Sequence, residues 1–253
     1  MDNQCYEQLT EMRLYPMRDE YKRQDELPAM IDLSFDDRFA MVVHAMYDKR
    51  MNTRIANALK RASLREPSAN LANLDFDTAR NLSKSRIAML SDLKWVRKGH
   101  CLVVTGASGT GKTFVLCAFG HEGCVLGYKV RYYRMPLLLQ VLKDARANNC
   151  YDKKLAELNA PDILILDDFG LDECDHLFSL DLLEIMDTRE KNKKSVFFGS
   201  QLPVSLWHDV LKNRTAADAF IERVMNKAYR IELKGPSRRV CDPEIESFEN
   251  TEA

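Results

Sequence analysis

The feature that most restricts the fold is the segment GASGTGKT, residues 106–113, which directly follows the apolar run CLVVT. Its spacing, G-x-x-x-x-G-K-[ST], is that of a phosphate-binding loop between a strand and a helix. Glycines let successive backbone N–H groups turn toward one anion, and the positive end of the following helix points at the same anion. The strand-like run before the segment and the helical spacing of FVLCAFGHEG after it favour this interpretation over a chance glycine-rich turn.

The loop predicts a nucleotide site with a magnesium ion. Lys112 would reach the β and γ phosphates, and the hydroxyl of Thr113 would hold Mg²⁺. The predicted nucleotide-binding residues are those of the loop and the first helical turn: Gly106, Ala107, Ser108, Gly109, Thr110, Gly111, Lys112, Thr113 and Phe114.

From residue 100 onward, strand-like and helical segments alternate. The strand candidates are HCLVVT, YKVRYYR, DILILDD, SVFFGS and YRIEL, and helices are predicted over 113–126, 136–147, 178–191 and within 203–227. Such alternation predicts an α/β fold, a parallel sheet with helices on both faces. Ligands of these sheets bind at the carboxyl ends of the strands.

Two other strand ends carry polar residues that suit this place. ILILDDFG ends a buried strand in Asp167 and Asp168, about fifty-five residues after the loop. Asp167 would hold Mg²⁺ through water, and Asp168 would orient or deprotonate the attacking water. SVFFGSQLP ends in Ser200 and Gln201; either residue could contact the γ phosphate, with a weak preference for Gln201, or simply cap the strand before Pro203.

Residues 1 to about 75 show helical spacing and predict a small all-helical domain before the α/β core. SFDDRFAMVVHAMYDKR starts with a serine cap and places Phe35, Phe39, Val42, Val43 and Met46 on one face. A linker is expected around REPSANLANLDFD, and a further helix in SKSRIAMLSDLKWVRKG. The predicted division is 1–70 helical domain, 71–98 linker helix, 99–236 α/β domain and 237–253 acidic tail.

The segment KRMNTRIANALKRASLR predicts a basic helix. Arg50, Arg54, Arg61 and Arg65 would fall within roughly 60° of one another, beside an apolar face. A basic stripe of this kind suits phosphate contacts along DNA, although a solvated face is equally compatible with the residues alone. The candidate DNA-binding residues are Arg50, Arg54, Asn57, Lys60, Arg61 and Arg65.

The composition says more about the cellular compartment of the protein than about its binding partner. The net charge of −1 indicates no partner by itself, and the seven cysteines are scattered without a C-x-x-C pair, which favours reduced thiols over disulfides or zinc. No signal peptide opens the sequence and no apolar run approaches membrane-spanning length. A soluble, cytoplasmic protein without a membrane partner is expected.

The motifs GASGTGKT, GHEGCVLGYKVRYYRMPLLL, LILDDFGL, SQLPVSLWHDV and RIELKGPSRR resemble the AAA+ ATPase of IstB-type transposition helper proteins over most of the chain. The helical segment DLSFDDRFAMVVHAMYDKRMNTRIANALKRASL is similar to that family's N-terminal domain. The resemblance implies a P-loop AAA+ core, ATP and Mg²⁺ as cofactors, binding to double-stranded DNA and assistance to a partner transposase. It also implies self-association into a higher oligomer.

The chain departs from the family pattern at three places. Asp168 stands where AAA+ proteins usually have glutamate, and the shorter side chain implies slow hydrolysis. Phe114 replaces a frequent histidine. After YRIEL only residues 234–253 remain, too few for a helical lid, so a second sensor could come only from Arg238 or Arg239, which could also be a solvated basic pair. The last residues, CDPEIESFENTEA, carry five acids and no base and predict a disordered tail.

The resemblance also places the arginine finger of AAA+ proteins at Arg223, in ADAFIERVMNKAYRIEL. Phe220, Ile221 and Val224 would form the buried side of that helix. The alternative is a surface arginine paired with Glu222 or Asp218.

Two other functions remain open at this stage. A bacterial helicase loader shares the AAA+ core, and a scaffold could bind ATP and DNA without useful hydrolysis.

Overall fold

The structure is a computed structural model, and it describes residues 3–30, 32–77, 80–172 and 174–238. Most of the predicted acidic tail, including Arg239, lies outside the described residues. Two compact units divide the chain, Met1–Asn57 and Ala58–Ala253.

The second unit is built on a five-stranded parallel sheet, as the alternating pattern predicts. Its strands lie in the order β2-β3-β4-β1-β5, and every described neighbour pair is parallel. Residues of the central strands are buried almost throughout, which suits apolar runs covered on both faces. The strands are β1 (Cys101–Gly106), β2 (Val130–Arg134), β3 (Ile163–Phe169), β4 (Ser195–Ser200) and β5 (Ala228–Leu233).

Helices cover both faces of the sheet and divide its core into two layers. One layer contains α5 (Lys112–Val125), and the other contains α6 (Met135–Ala147), α8 (His176–Lys191) and α10 (Arg214–Asn226). The helices predicted over 113–126, 136–147 and 178–191 agree with α5, α6 and α8 to within two residues, and α10 lies inside the stretch predicted over 203–227. Shorter helices are α4 (Lys84–Leu90), α7 (Tyr151–Asn159) and α9 (Trp207–Val210). Helix α7 was not predicted from the sequence.

The predicted helix over SKSRIAMLSDLKWVRKG is interrupted. Helix α4 ends at Leu90, Leu93 takes a left-handed conformation (φ 48°), and a 3₁₀ turn follows over Lys94–Lys98. Trp95 is buried and donates its indole N–H to the carbonyl of Leu90 at 3.0 Å. The break therefore turns an aromatic side chain into the core.

The first unit contains α1 (Asn3–Glu11), α2 (Tyr15–Glu26), a 3₁₀ turn (Pro28–Met30) and most of α3 (Phe35–Ala62). The apolar face predicted for this segment of α3 is only partly buried: Val42 is buried, but Phe35 is 71% exposed and Phe39 is 54% exposed. The two rings stack on each other, with their centroids 5.9 Å apart.

The division between the units differs from the predicted boundary at residue 70. Ala62, Leu64, Ala69, Leu74 and Leu82 are buried in the same core layer as α5. The segment expected to link two domains is therefore part of the second unit, because its apolar residues complete that core.

Candidate nucleotide-binding site

The phosphate-binding loop lies between β1 and α5, at the carboxyl end of β1. Two glycines are required by close contacts. A Cβ at Gly106 would lie 2.5 Å from the carbonyl oxygen of Leu233, and one at Gly111 (φ 92°) would lie 2.8 Å from the guanidinium of Arg80. Because the residue before α5 is Gly111, no side chain caps the helix, and the first-turn N–H groups are available to an anion.

Lys112 is the buried cation of this loop. Its side chain is mostly enclosed, and Nζ donates to the carbonyl of Ala107, on the opposite side of the loop, at 2.8 Å. An ammonium held across the loop is in position to meet phosphate oxygens.

Asp167 and Thr113 meet at the predicted magnesium position. Thr113 Oγ1 donates to Asp167 Oδ2 at 2.6 Å, and Tyr132 of β2 donates its hydroxyl to the same oxygen at 2.9 Å. The carboxylate is fully buried, and Oδ1 has no hydrogen-bond partner among the described residues. A buried carboxylate with neutral donors is stabilised by a nearby cation, so the donor set suits a hard metal ion.

Two neighbours shape this position from either side. Burial raises the pKa of the Tyr132 phenol above its usual value, and the Asp167 carboxylate adds to the shift, so Tyr132 remains a donor. On the other side, a Cβ at Gly199 of β4 would lie 2.2 Å from Asp167 Oδ1. The glycine leaves room for the carboxylate between the strands.

Asp168 lies beside Asp167 in an uncommon backbone conformation. Its φ is 60°, and the pairing of β3 with β4 changes register between Leu166 and Phe169. This irregularity turns the side chain out of the sheet, where Oδ2 accepts from Arg134 Nε at 2.8 Å and from Arg65 Nη1 at 3.4 Å.

The polar residues at the end of β4, Ser200 and the following Gln201, differ in their burial. Ser200 is fully buried; its hydroxyl donates to the carbonyl of Phe169 at 2.8 Å and accepts from the Leu202 N–H at 3.1 Å. Gln201 is exposed at the mouth of the site. Ser200 therefore caps the strand, and Gln201 is the residue of this pair that a nucleotide can reach.

One cavity of about 510 Å³ lies at this site, and Asp167 is behind its lining rather than part of it. The lining residues that were predicted for the nucleotide site are Ser108, Gly109, Gly111, Lys112, Thr113, Phe114, Asp168 and Gln201. Arg65, predicted to bind DNA, and Arg238, a possible second sensor, also line it, together with Glu66, Asn73, Asp75 and Arg80, which were not predicted. Gly106, Ala107 and Thr110 line a neighbouring cavity of about 700 Å³ instead, which also includes Gln201.

The model of the family of IstB-like ATP-binding proteins matches residues 7–243. The chain belongs to this family. It is 37% identical over 205 residues to a Pseudomonas fluorescens protein named as an ATP-binding protein of insertion sequence IS1162, covering 81% of this chain and 88% of the relative. An insertion sequence ATP-binding protein of Sinorhizobium fredii is 32% identical and covers 91% of this chain and 92% of its own length.

Solved structures agree on the P-loop AAA+ fold of this IstB-like protein. The structure of the DnaC helicase loader matches with a TM-score of 0.55 at 18% identity, covering 66% of this chain and 97% of that one. At this identity the likeness is one of fold. Within the described part of the chain, no helix is long and apolar enough to cross a membrane.

Two more arginines lie at the nucleotide cavity: Arg80, which was not predicted from the sequence, and Arg238, which was named as a possible second sensor or a solvated base. Arg80 is buried and donates to the carbonyls of Thr110 at 3.0 Å and Asp75 at 2.6 Å; burial lowers the pKa of its guanidinium below the usual value. The backbone N–H of Arg238 donates to the carbonyl of Gly109 at 2.9 Å, and its guanidinium pairs with Asp75 at 2.7 Å. No local motif marks Arg80, because it reaches the loop from a distant segment.

The sequence predicted that Arg65 continues the basic stripe of α3, and this prediction is wrong. Helix α3 ends at Ala62, and Ser63 takes a left-handed conformation (φ 53°) that turns the chain away from the helical path. Arg65 therefore faces the nucleotide cavity and pairs with Asp168.

The other candidate DNA-binding residues lie on α3. Arg50, Arg54, Asn57, Lys60 and Arg61 all have exposed side chains. None of the described residues forms a salt bridge with Arg50, Arg54, Lys60 or Arg61, which leaves their charges available to phosphates.

Arg223 is half-buried on α10 and pairs within its own chain. Its Nε contacts Asp187 and lies 3.9 Å from Glu190, both on α8, rather than Glu222 or Asp218. Phe220 and Val224 are fully buried on the same helix, and Ile221 is partly buried, as the helical spacing predicts.

Proposed function

We propose that this IstB-like protein is a DNA-binding ATPase that assists a partner transposase and assembles as an oligomer on DNA. The observation that carries the ATPase part is the 2.6 Å hydrogen bond between Thr113 Oγ1 and Asp167 Oδ2. It brings the end of the phosphate-binding loop to the acid that ends a buried strand, which is the arrangement that P-loop ATPases need for a nucleotide and a metal ion.

The predicted nucleotide-site residues then have separate roles in ATP hydrolysis. The loop N–H groups and Lys112 bind the phosphates, and Thr113 and Asp167 hold Mg²⁺. Bound Mg²⁺ offsets the negative charge of the β and γ phosphates. Asp168 orients or deprotonates the attacking water, and Gln201 contacts the γ phosphate. Because aspartate is shorter than glutamate, we expect slow turnover.

The basic residues of α3 are proposed to contact double-stranded DNA. Arg50, Arg54, Asn57, Lys60 and Arg61 are exposed, and phosphate contacts of this kind require no base sequence. The family's link to insertion sequences, given by the names of the relatives, supports a transposase as the protein partner. The proposed DNA partner and the scattered cysteines support a cytoplasmic location for this function.

Oligomerisation is proposed because Arg223 can serve a neighbouring subunit. An arginine finger supplied in trans stabilises charge on the γ phosphate and is worth roughly 10³–10⁵ in rate. The head-to-tail contacts that it requires generate rings or open helices. In this proposal Arg223 exchanges Asp187 and Glu190 for the phosphate of the adjacent subunit.

The decisive experiment measures ATP turnover with and without duplex DNA, for the wild type and for Asp168→Asn. We expect DNA-stimulated turnover in the wild type, and ATP binding without turnover in the variant, since Thr113 and Asp167 still hold the metal. ATP binding with no turnover in the wild type would instead support a nucleotide-dependent scaffold. Normal phosphate release by Asp168→Asn would assign the water to another residue.

A mixing experiment tests the finger. Arg223→Ala and Lys112→Ala subunits, each inactive alone, should partly recover turnover together, because an intact finger then faces an intact pocket across one interface. Co-assembly without recovery would place Arg223 outside the active site.

A helicase-loader function is the alternative, favoured by the fold likeness to the DnaC helicase loader. Pull-down experiments against a replicative helicase and against the transposase of the same element separate the two functions. Capture of the helicase alone would replace our proposal.

A further inference from the structure

Arg65 lies at the acid that we assign to the attacking water. Its Nη1 is 3.4 Å from Asp168 Oδ2, and Arg134 Nε is 2.8 Å from the same oxygen. A carboxylate oxygen has two lone pairs for hydrogen bonding, so these two donors fill the acceptor sites of Oδ2. In this conformation, that oxygen has no site left for a water molecule.

Arg65 also shares the nucleotide cavity with the phosphate-binding residues. It lines the cavity together with Lys112 and Thr113, and its side chain is 42% exposed, so open space lies beside the guanidinium on the cavity side. A bound triphosphate would place several negative charges there, against the single charge of Asp168. Arginine binds phosphate oxygens through a planar fork of donors.

The backbone that carries Arg65 is fixed, so only the side chain needs to move. Arg131 of β2 donates to the carbonyl of Arg61 at 2.7 Å and to the hydroxyl of Ser63 at 3.3 Å, and Leu64 is buried in the core. Strand β2 also carries Tyr132, which contacts Asp167, and Arg134, which contacts Asp168. The same strand therefore holds the backbone just before Arg65 and contacts both acids of the site.

We propose that Arg65 is a positioning residue that detects the γ phosphate: without nucleotide it pairs with Asp168, and with ATP it moves to the terminal phosphate and frees an acceptor site on Asp168 Oδ2 for the attacking water. This inference rests on the proposed ATPase function. It assigns Arg65 to the ATP site rather than to DNA.

The test compares affinities for ADP and for a non-hydrolysable ATP analogue, both with Mg²⁺, by calorimetry. In Arg65→Ala, ATP-analogue affinity should fall about tenfold while ADP affinity stays unchanged, because only the longer nucleotide offers the phosphate that Arg65 contacts. Arg65→Lys should restore most of the difference, since an ammonium also binds phosphate. The matched control is Arg97→Ala, an exposed arginine before β1 and therefore at the opposite edge of the sheet.

Other outcomes overturn the inference in distinguishable ways. Equal losses for the two nucleotides in Arg65→Ala would indicate general damage to the pocket. If Arg65→Ala left the affinities for ADP and for the ATP analogue unchanged but weakened binding to duplex DNA, Arg65 would be a DNA-binding residue. A wild type that binds no ATP analogue would overturn the proposed function together with this inference, whereas normal wild-type binding and turnover with no ATP-specific loss would overturn the inference alone.

Discussion

The two units of the chain bury their apolar side chains to very different extents. In the second unit, Phe169, Phe198, Trp207 and Phe220 are buried together, with the rings of Phe169 and Trp207 4.2 Å apart. In the first unit, Leu9 and Val42 are the only apolar side chains described as buried, while Phe35, Phe39 and Tyr47 are more than half exposed. The second unit therefore stabilises a fixed cavity, whereas the first leaves most of its large apolar side chains partly or largely exposed.

The difference in burial predicts the largest difference in stability. Phe220→Ala should lower the free energy of unfolding by about 3–5 kcal/mol, because it opens a cavity in the aromatic core. Phe39→Ala, the matched change in the first unit, should cost less than about 0.5 kcal/mol. Denaturant unfolding of both variants at low protein concentration measures the contrast, and equal losses would show that the first unit has a core of comparable strength.

Buried and exposed charges within the second unit should differ in the same way. Lys112→Ala removes a buried cation that meets phosphate, so ATP affinity should fall at least about a hundredfold, or roughly 3 kcal/mol. Lys98→Ala, an exposed change at the opposite edge of the sheet, should leave it unaltered. Calorimetric titration with ATP and Mg²⁺ provides the measurement. Wild-type affinity in Lys112→Ala would remove the central role of the loop.

The smallest expected effect concerns the exposed cations of the first unit. Replacing Arg50 and Arg54 by Ala should weaken binding to duplex DNA and reduce the slope of log affinity against log salt by about two, one for each lost phosphate contact. Titrations at several salt concentrations measure this slope. The control is Arg23→Ala, because Arg23 already pairs with Glu20 at 2.8 Å. If both variants keep the wild-type slope, the stripe is a solvated face.

The sequence predicts best those features that depend on local pattern. The loop at 106–113, the five strands and the acids that end β3 follow from runs of neighbouring residues. Tyr132 and Arg80 could not be assigned in this way, because their roles depend on which strands and segments become neighbours in the fold. Arg65 was misplaced because a helical period was extended past Ala62, and nothing local marked the left-handed turn at Ser63.

Replacement of Gly199 by alanine would have an unusual effect at this site. Alanine is ordinarily the better residue in the interior of a strand, by about 0.5–1 kcal/mol, because it loses less backbone freedom on folding. At this position its methyl group would lie 2.2 Å from Asp167 Oδ1 and displace the carboxylate. Gly199→Ala, which general strand preferences favour, would therefore alter the proposed metal position by adding one methyl group to a buried strand.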